Sequence, residues 1–157
     1  MKRPLLRAEA SIMNEERSKV LVQCDDKETF YRFPGGSIEF GELACEAINR
    51  ELFEEYDLQV QVETLAIVNE HIFQIDGKLH HQCTLFHWCK SITEINEPLF
   101  HKEHENIILT WKKIQELKDK PTYPEGIVSL IESKEYVISF FGVICLTISF
   151  SVVMYLF

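Results

Sequence analysis

Apolar and polar residues alternate loosely from Leu5 to Ile12, and again from Lys19 to Cys24 after the polar run Asn14-Glu15-Glu16-Arg17. Two period-two segments joined by a polar turn predict a β-hairpin. A second turn, Asp25 to Glu28, leads into a short extended run, Phe30 to Phe33, whose last residue is biased to extended geometry by Pro34. From Glu42 to Tyr56 the period changes: Ala44, Ala47, Ile48 and Leu52 recur at spacings of three and four, which predicts a helix. Leu58 to Phe73 is rich in Val, Ile and Leu and predicts one long or bent strand. Asp76-Gly77 is a hairpin turn signal, with His81 to Cys89 as the return strand. A polar loop from Ser91 to Asn106 precedes a strand at Ile107 to Trp111 and a short helix at Lys113 to Lys118. Pro124-Glu125-Gly126 opens a final helix ending near Ser133. The expected architecture is α/β, with helices against a mixed sheet and no internal repeat.

The remaining segment reads differently. Tyr136 to Phe157 holds 22 residues without a charge, 17 of them apolar. A helix of that length would span a hydrocarbon core of ~30 Å at ~1.5 Å per residue. The expectation is a domain at 1–134 and an apolar C-terminal helix at 135–157 that anchors a cytoplasmic domain to a membrane. Its many β-branched and aromatic residues also suit a buried strand, a core helix or a dimer interface.

The chain has 157 residues, enough for one domain with a substantial core. Its five cysteines are scattered, with no C-x-x-C pair, which fits a reducing compartment rather than a disulfide framework. The first residues lead into an alternating strand rather than an apolar leader, so no signal peptide is expected, and the six histidines lack zinc-type spacing. A net charge of −9 disfavours binding to DNA. Bound divalent metal reverses the local sign, so a phosphate ligand remains compatible and should be metal-dependent.

Candidate chemistry concentrates after Pro34-Gly35-Gly36. Glu42 is followed by Arg50-Glu51-Leu52-Phe53-Glu54-Glu55-Tyr56-Asp57-Leu58. On a helix, Glu51, Glu54 and Glu55 stand at i, i+3 and i+4 and share one face. Like charges so placed destabilise a bare helix by a few tenths of a kcal/mol or so per pair. A cation would neutralise them, and hard carboxylate oxygens suit Mg²⁺ or Mn²⁺.

The segment Gly36–Leu58 resembles the Nudix box, G-x5-E-x7-R-E-U-x-E-E-x-G-U, where U is bulky and apolar. Gly36, Glu42, Arg50, Glu51, Leu52, Glu54, Glu55 and Leu58 all match, while Asp57 replaces the late Gly. That Gly ends the helix in a left-handed conformation, which Asp tolerates at a cost of about 1 kcal/mol or less. The resemblance implies an α/β/α sandwich and metal-dependent hydrolysis of a diphosphate linkage in a small nucleotide derivative. By the same resemblance Glu54 and Glu55 are metal ligands, Glu51 is a ligand or the general base, and Gly36 offers its carbonyl to the metal. Arg50 orients Glu51 and Glu42 buttresses the cluster. Glu103 and Glu105 are candidates for one further acid from a later loop, against a plain role as solvated loop charges. Arg32 is a candidate phosphate contact or a plain surface charge. Phe73 and Trp111 fit core packing better than base stacking.

The downstream residues that mark substrate subfamilies are missing: no Pro lies between Pro34 and Pro98, and no Tyr between Tyr56 and Tyr123. That points towards a nucleoside triphosphate or another nucleotide derivative. The alternative is a Nudix-fold protein that binds a nucleotide without hydrolysing it, which the intact acidic set disfavours. An RNA end is a less attractive substrate for so acidic a chain.

Overall fold

In a computed structural model, residues 3–133 and 137–141 are described. The chain runs β1 (Leu5–Ile12), β2 (Lys19–Asp25), β3 (Tyr31–Arg32), β4 (Gly35–Ser37), α1 (Ala44–Tyr56), β5 (Val60–Ile75) and β6 (Lys78–Ser91). It continues with β7 (Leu99–Phe100), β8 (Ile107–Lys113), α2 (Ile114–Leu117), β9 (Thr122–Tyr123), α3 (Ile127–Ser133) and β10 (Val137–Phe141).

Among the described residues, two five-stranded sheets replace the single expected one. Their strand orders are β10-β5-β6-β1-β4 and β7-β8-β2-β3-β9. Both are mixed: β1 runs parallel to β6 and β10 to β5, and β3 runs parallel to β9. The expected β1–β2 hairpin does not form: the two strands belong to different sheets, and the only bridge joining this stretch to β2 is between Met13, just past β1, and Val20. The turn between them is nevertheless real. The Asn14 Oδ1 accepts hydrogen bonds from the backbone N–H groups of Ser18 and Lys19. What separates the strands is burial. The second half of β1 is buried at every residue, so it needs partners and cover on both sides, and β4 and β6 flank it.

The β5–β6 hairpin matches expectation, with Asp76 and Gly77 both at positive φ in its turn, as a tight two-residue hairpin connection requires. The strand is bent as well as long, with register shifts between Val62 and Ile67. Within the expected polar loop, Leu99–Phe100 adds a short strand to β8.

The core divides about β2, whose alternating side chains serve both faces. Leu21 packs with Ala8, Ala10 and Ile12 of β1, Leu109 of β8, and Ala47, Ile48, Leu52 and Tyr56 of α1. Val20, Val22 and Cys24 pack with Phe33, Phe86 and residues of α2 and α3. Helices thus cover both sides, giving the expected layered α/β arrangement. The four described cysteines, Cys24, Cys45, Cys83 and Cys89, are free.

The apolar C-terminal helix is not found where the structure reaches. Val137–Phe141 is a strand, paired in parallel with Ile67–His71. No helix among the described residues is long and apolar enough to cross a membrane. Residues 142–157, on which most of the anchor expectation falls, lie outside the described residues.

Candidate active site

The site is assembled by the β4–α1 connection and the exposed edge of α1. The helix starts at Ala44 rather than Glu42. Glu46 accepts a hydrogen bond from the Leu43 N–H at 2.8 Å, satisfying a donor at the helix start. At the other end Asp57 has φ 54° and ψ 23°, the left-handed conformation expected of the position. Its N–H reaches Phe53 O at 3.0 Å, the bond of a left-handed helix stop, and the Leu58 N–H reaches Leu52 O at 3.2 Å.

Arg50 is the hub. Its Nε and Nη2 donate to the two Glu42 carboxylate oxygens at 2.8 and 3.0 Å, a bidentate pair. Nη2 also donates to Ser37 O at 3.0 Å, while Nη1 lies 3.0 Å from Glu51 Oε1 and 3.3 Å from Glu54 Oε2. The paired Arg50 guanidinium holds the Glu42 carboxyl down at about 2, so the pair persists well into acid.

Glu51 lies directly against Gly36. A Cβ built on Gly36 would sit 2.0 Å from Glu51 Cδ and 2.1 Å from its Oε1. Gly36 is therefore required by the carboxylate beside it. Gly35 is required by backbone: at φ 141° its Cβ would meet Ala8 O at 2.2 Å.

Glu55 is held differently. Gln23 Nε2 donates to Glu55 Oε2 at 2.9 Å and to Tyr56 Oη at 2.7 Å, while Gln23 Oε1 accepts from Arg32 Nε at 2.7 Å. On its other side, His101 Nε2 lies 3.3 Å from Glu55 Oε1. Burial pushes the Glu55 carboxyl up, opposed by His101 and reinforced by the charge of Glu51. A nearby cation would relieve that penalty.

The candidates are thus brought together unequally. Gly36, Glu42, Arg50, Glu51 and Glu54 form one connected group, and Glu55 and Arg32 join through Gln23. Glu54 is largely exposed and turned to Arg50. The three carboxylates that share the helix are not already converged: among the described residues no three acidic, His or Cys side chains form a metal-coordinating group. Arg50 draws Glu51 and Glu54, whereas Gln23 and His101 draw Glu55, which accounts for the separation. Glu103 and Glu105 are exposed, and neither carboxylate pairs with the helix acids. Phe73 is half-exposed and stacked between His71 and His80, not in the core as expected, whereas Trp111 does pack against the core.

Four residues escaped the sequence reading. Gln23 is buried on the α1 side of β2, and its signal was a lone amide inside the apolar run Val20 to Cys24. His101 is buried beside Tyr56, with nothing in the polar loop to single it out. Glu9 is buried on β1, where Arg7 contacts it at 3.3 Å and also donates to Gly35 O. Burial raises the Glu9 carboxyl to about 7 against the pull of Arg7 and Arg32. Arg7 and Glu9 were legible only as alternate polar residues on a strand.

Residues 5–131 match the family model for the NUDIX domain. Among solved structures, a MutT NUDIX hydrolase from Burkholderia pseudomallei is similar at a TM-score of 0.64 and 19% identity, over 83% of this chain and 98% of that one. A UDP-X diphosphatase matches at 0.59 and 22% identity, over 85% of this chain and 64% of that one. An ADP-ribose pyrophosphatase from Streptococcus suis matches at 0.58 and 16% identity, over 88% and 98%. No curated protein matches the chain. The family match takes in every strand but β10 and the whole Gly36–Leu58 segment, and by it the chain belongs to the Nudix family as a hydrolase of the pyrophosphohydrolase type.

Proposed function

We propose that the chain cleaves a diphosphate linkage in a nucleoside diphosphate derivative, a nucleoside triphosphate included, using Mg²⁺ or Mn²⁺. The observation that carries this reading is the Gly36–Glu51–Arg50–Glu42 group with Glu55 alongside: acidic oxygens packed against a glycine loop and oriented by one arginine. The donor chemistry fits a hard divalent cation, since the oxygens are carboxylates and burial penalises the Glu55 charge. Glu51, Glu54 and Glu55, with the Gly36 carbonyl, are the residues that would hold the metal. Bound there, it would neutralise the non-bridging phosphate oxygens and orient the attacking water.

The chain's own residues supply the rest. Arg50, locked by Glu42, lies 3.0 Å from Glu51 Oε1 and orients a carboxylate that serves as metal ligand or general base. Arg32, two hydrogen bonds removed from Glu55 through Gln23, is suited to pairing with a substrate phosphate. Glu103 and Glu105, exposed on the loop beside Glu55, are candidates for one further acid at the site.

The test is phosphate or nucleoside monophosphate release from a panel of nucleoside triphosphates, nucleotide sugars and ADP-ribose with Mg²⁺ or Mn²⁺. Metal-dependent release from at least one class is expected. Tight nucleotide binding with no release from any of them would establish the non-hydrolytic alternative.

A further inference from the structure

Each oxygen of the Glu55 carboxylate has its own buried partner. Gln23 Nε2 meets Oε2 at 2.9 Å and His101 Nε2 faces Oε1 at 3.3 Å. Both partners are almost entirely buried, Gln23 at 1% and His101 at 5% exposure. The His101 ring is itself fixed. Its Nδ1 accepts the Glu103 N–H at 3.1 Å, so in the neutral imidazole the proton sits on Nε2, the nitrogen 3.3 Å from Glu55 Oε1. Tyr56 packs edge-on against the ring with centroids 5.3 Å apart. With both nitrogens engaged, His101 has no lone pair left for substrate or water, so it cannot act as a base in this arrangement.

The loop that carries His101 is docked on the end of α1. The Lys102 N–H donates to Glu55 O at 3.0 Å, and Lys102 Nζ reaches Asp57 Oδ1 at 2.6 Å and Phe53 O at 3.2 Å. The Asp57 contact exists only because this chain departs from the family glycine there. A residue with a side chain, held at positive φ, presents its carboxylate to the loop.

We infer that His101 and Gln23 are positioning residues that fix the Glu55 carboxylate from opposite sides, and that Lys102 with Asp57 seats the His101 loop for that task. The inference rests on the proposed metal-ligand role of Glu55. Buried partners of this kind typically change metal affinity by about 10- to 100-fold when lost.

The experiment is Mn²⁺ titration of the full chain, followed by electron paramagnetic resonance, without substrate. His101→Ala should weaken Mn²⁺ binding by about 10-fold or more. His101→Gln, whose amide can donate towards Glu55, should recover most of the affinity. In a Glu55→Gln background, His101→Ala should change affinity little, because its partner has gone. If His101→Ala fails to fold, Gln23→Met probes the opposite oxygen by the same titration. Unchanged Mn²⁺ affinity in a folded His101→Ala or Gln23→Met chain overturns the inference while leaving the metal reading intact. So does an equal loss in the Glu55→Gln background. Absence of Mn²⁺ binding by the parent chain overturns the metal reading itself, and the inference with it.

Discussion

The adjacent glycines Gly35 and Gly36 should respond to alanine in opposite ways. At Gly36 the added methyl would meet only the end of the Glu51 side chain, at 2.0 Å from Cδ. A carboxylate tip can swing aside, so the fold should survive with a change within about 1 kcal/mol. Swinging aside, however, breaks the 3.0 Å contact with Arg50 and moves Glu51 by an ångström or more. A displacement of about 1 Å at a reacting centre costs on the order of 100-fold in rate. At Gly35 the methyl would meet Ala8 O at 2.2 Å and Glu9 Cα at 2.8 Å, both in the neighbouring strand. The backbone there is at φ 141°, which side chains rarely adopt. Overpacking costs about 1–3 kcal/mol and backbone strain of this kind about 1–3 more. For a chain of this size that lowers Tm by very roughly 4–24 °C. Thermal melts and metal-dependent turnover of the two variants, measured side by side, check the pair. A Gly36→Ala chain with turnover within about threefold of the parent would refute the reasoning that the glycine serves Glu51.

Burial of Glu9 makes a pH prediction. Its folded carboxyl titrates near 7 against an ordinary value of 4.5, so the native state binds more protons across that window. Stability should therefore fall as pH rises from 4.5 to 7 and level off above, by about 3 kcal/mol at most from this group. Glu9→Gln should flatten that slope in urea denaturation, and superimposable parent and variant profiles would contradict the assignment. Asp57→Gly restores the family residue, relieves the left-handed side chain by about 1 kcal/mol or less and removes an exposed pair of about the same size. Its Tm should stay within a few degrees of the parent, and a larger drop would show that the Asp57–Lys102 contact matters more than exposure suggests. Arg50→Lys keeps the charge but cannot reproduce the two-pronged bond to Glu42, so turnover should fall well below the parent in steady-state assays with the fold retained.

The box and its helix were legible because their chemistry is local. Fixed offsets along one helix and a glycine loop express themselves within a short stretch of chain, down to the left-handed stop at Asp57. The sheets were less legible, since period two shows that a strand exists but not which partner it takes. That is why β1 and β2, neighbours in the chain, fell into different sheets. The short β7 and β9 carried too little pattern to stand out. The supporting residues were hardest. Gln23 lies 32 positions from Glu55 and His101 lies 46, and only the folding of β2 and the 101–106 loop onto α1 brings them together. A buried polar residue reads in sequence as an exception to alternation, and its partner is set by tertiary packing.

The central claim is that the α1 carboxylates act through a divalent cation on a diphosphate bond. The most direct measurement is turnover as a function of Mg²⁺ concentration, on the best substrate of the panel, for the parent and Glu54→Gln. Glu54 is exposed, so the substitution should leave the thermal melt unchanged. Mg²⁺-dependent turnover is expected in the parent, with a loss of orders of magnitude in Glu54→Gln. A folded Glu54→Gln chain with normal Mg²⁺-dependent turnover would contradict that claim.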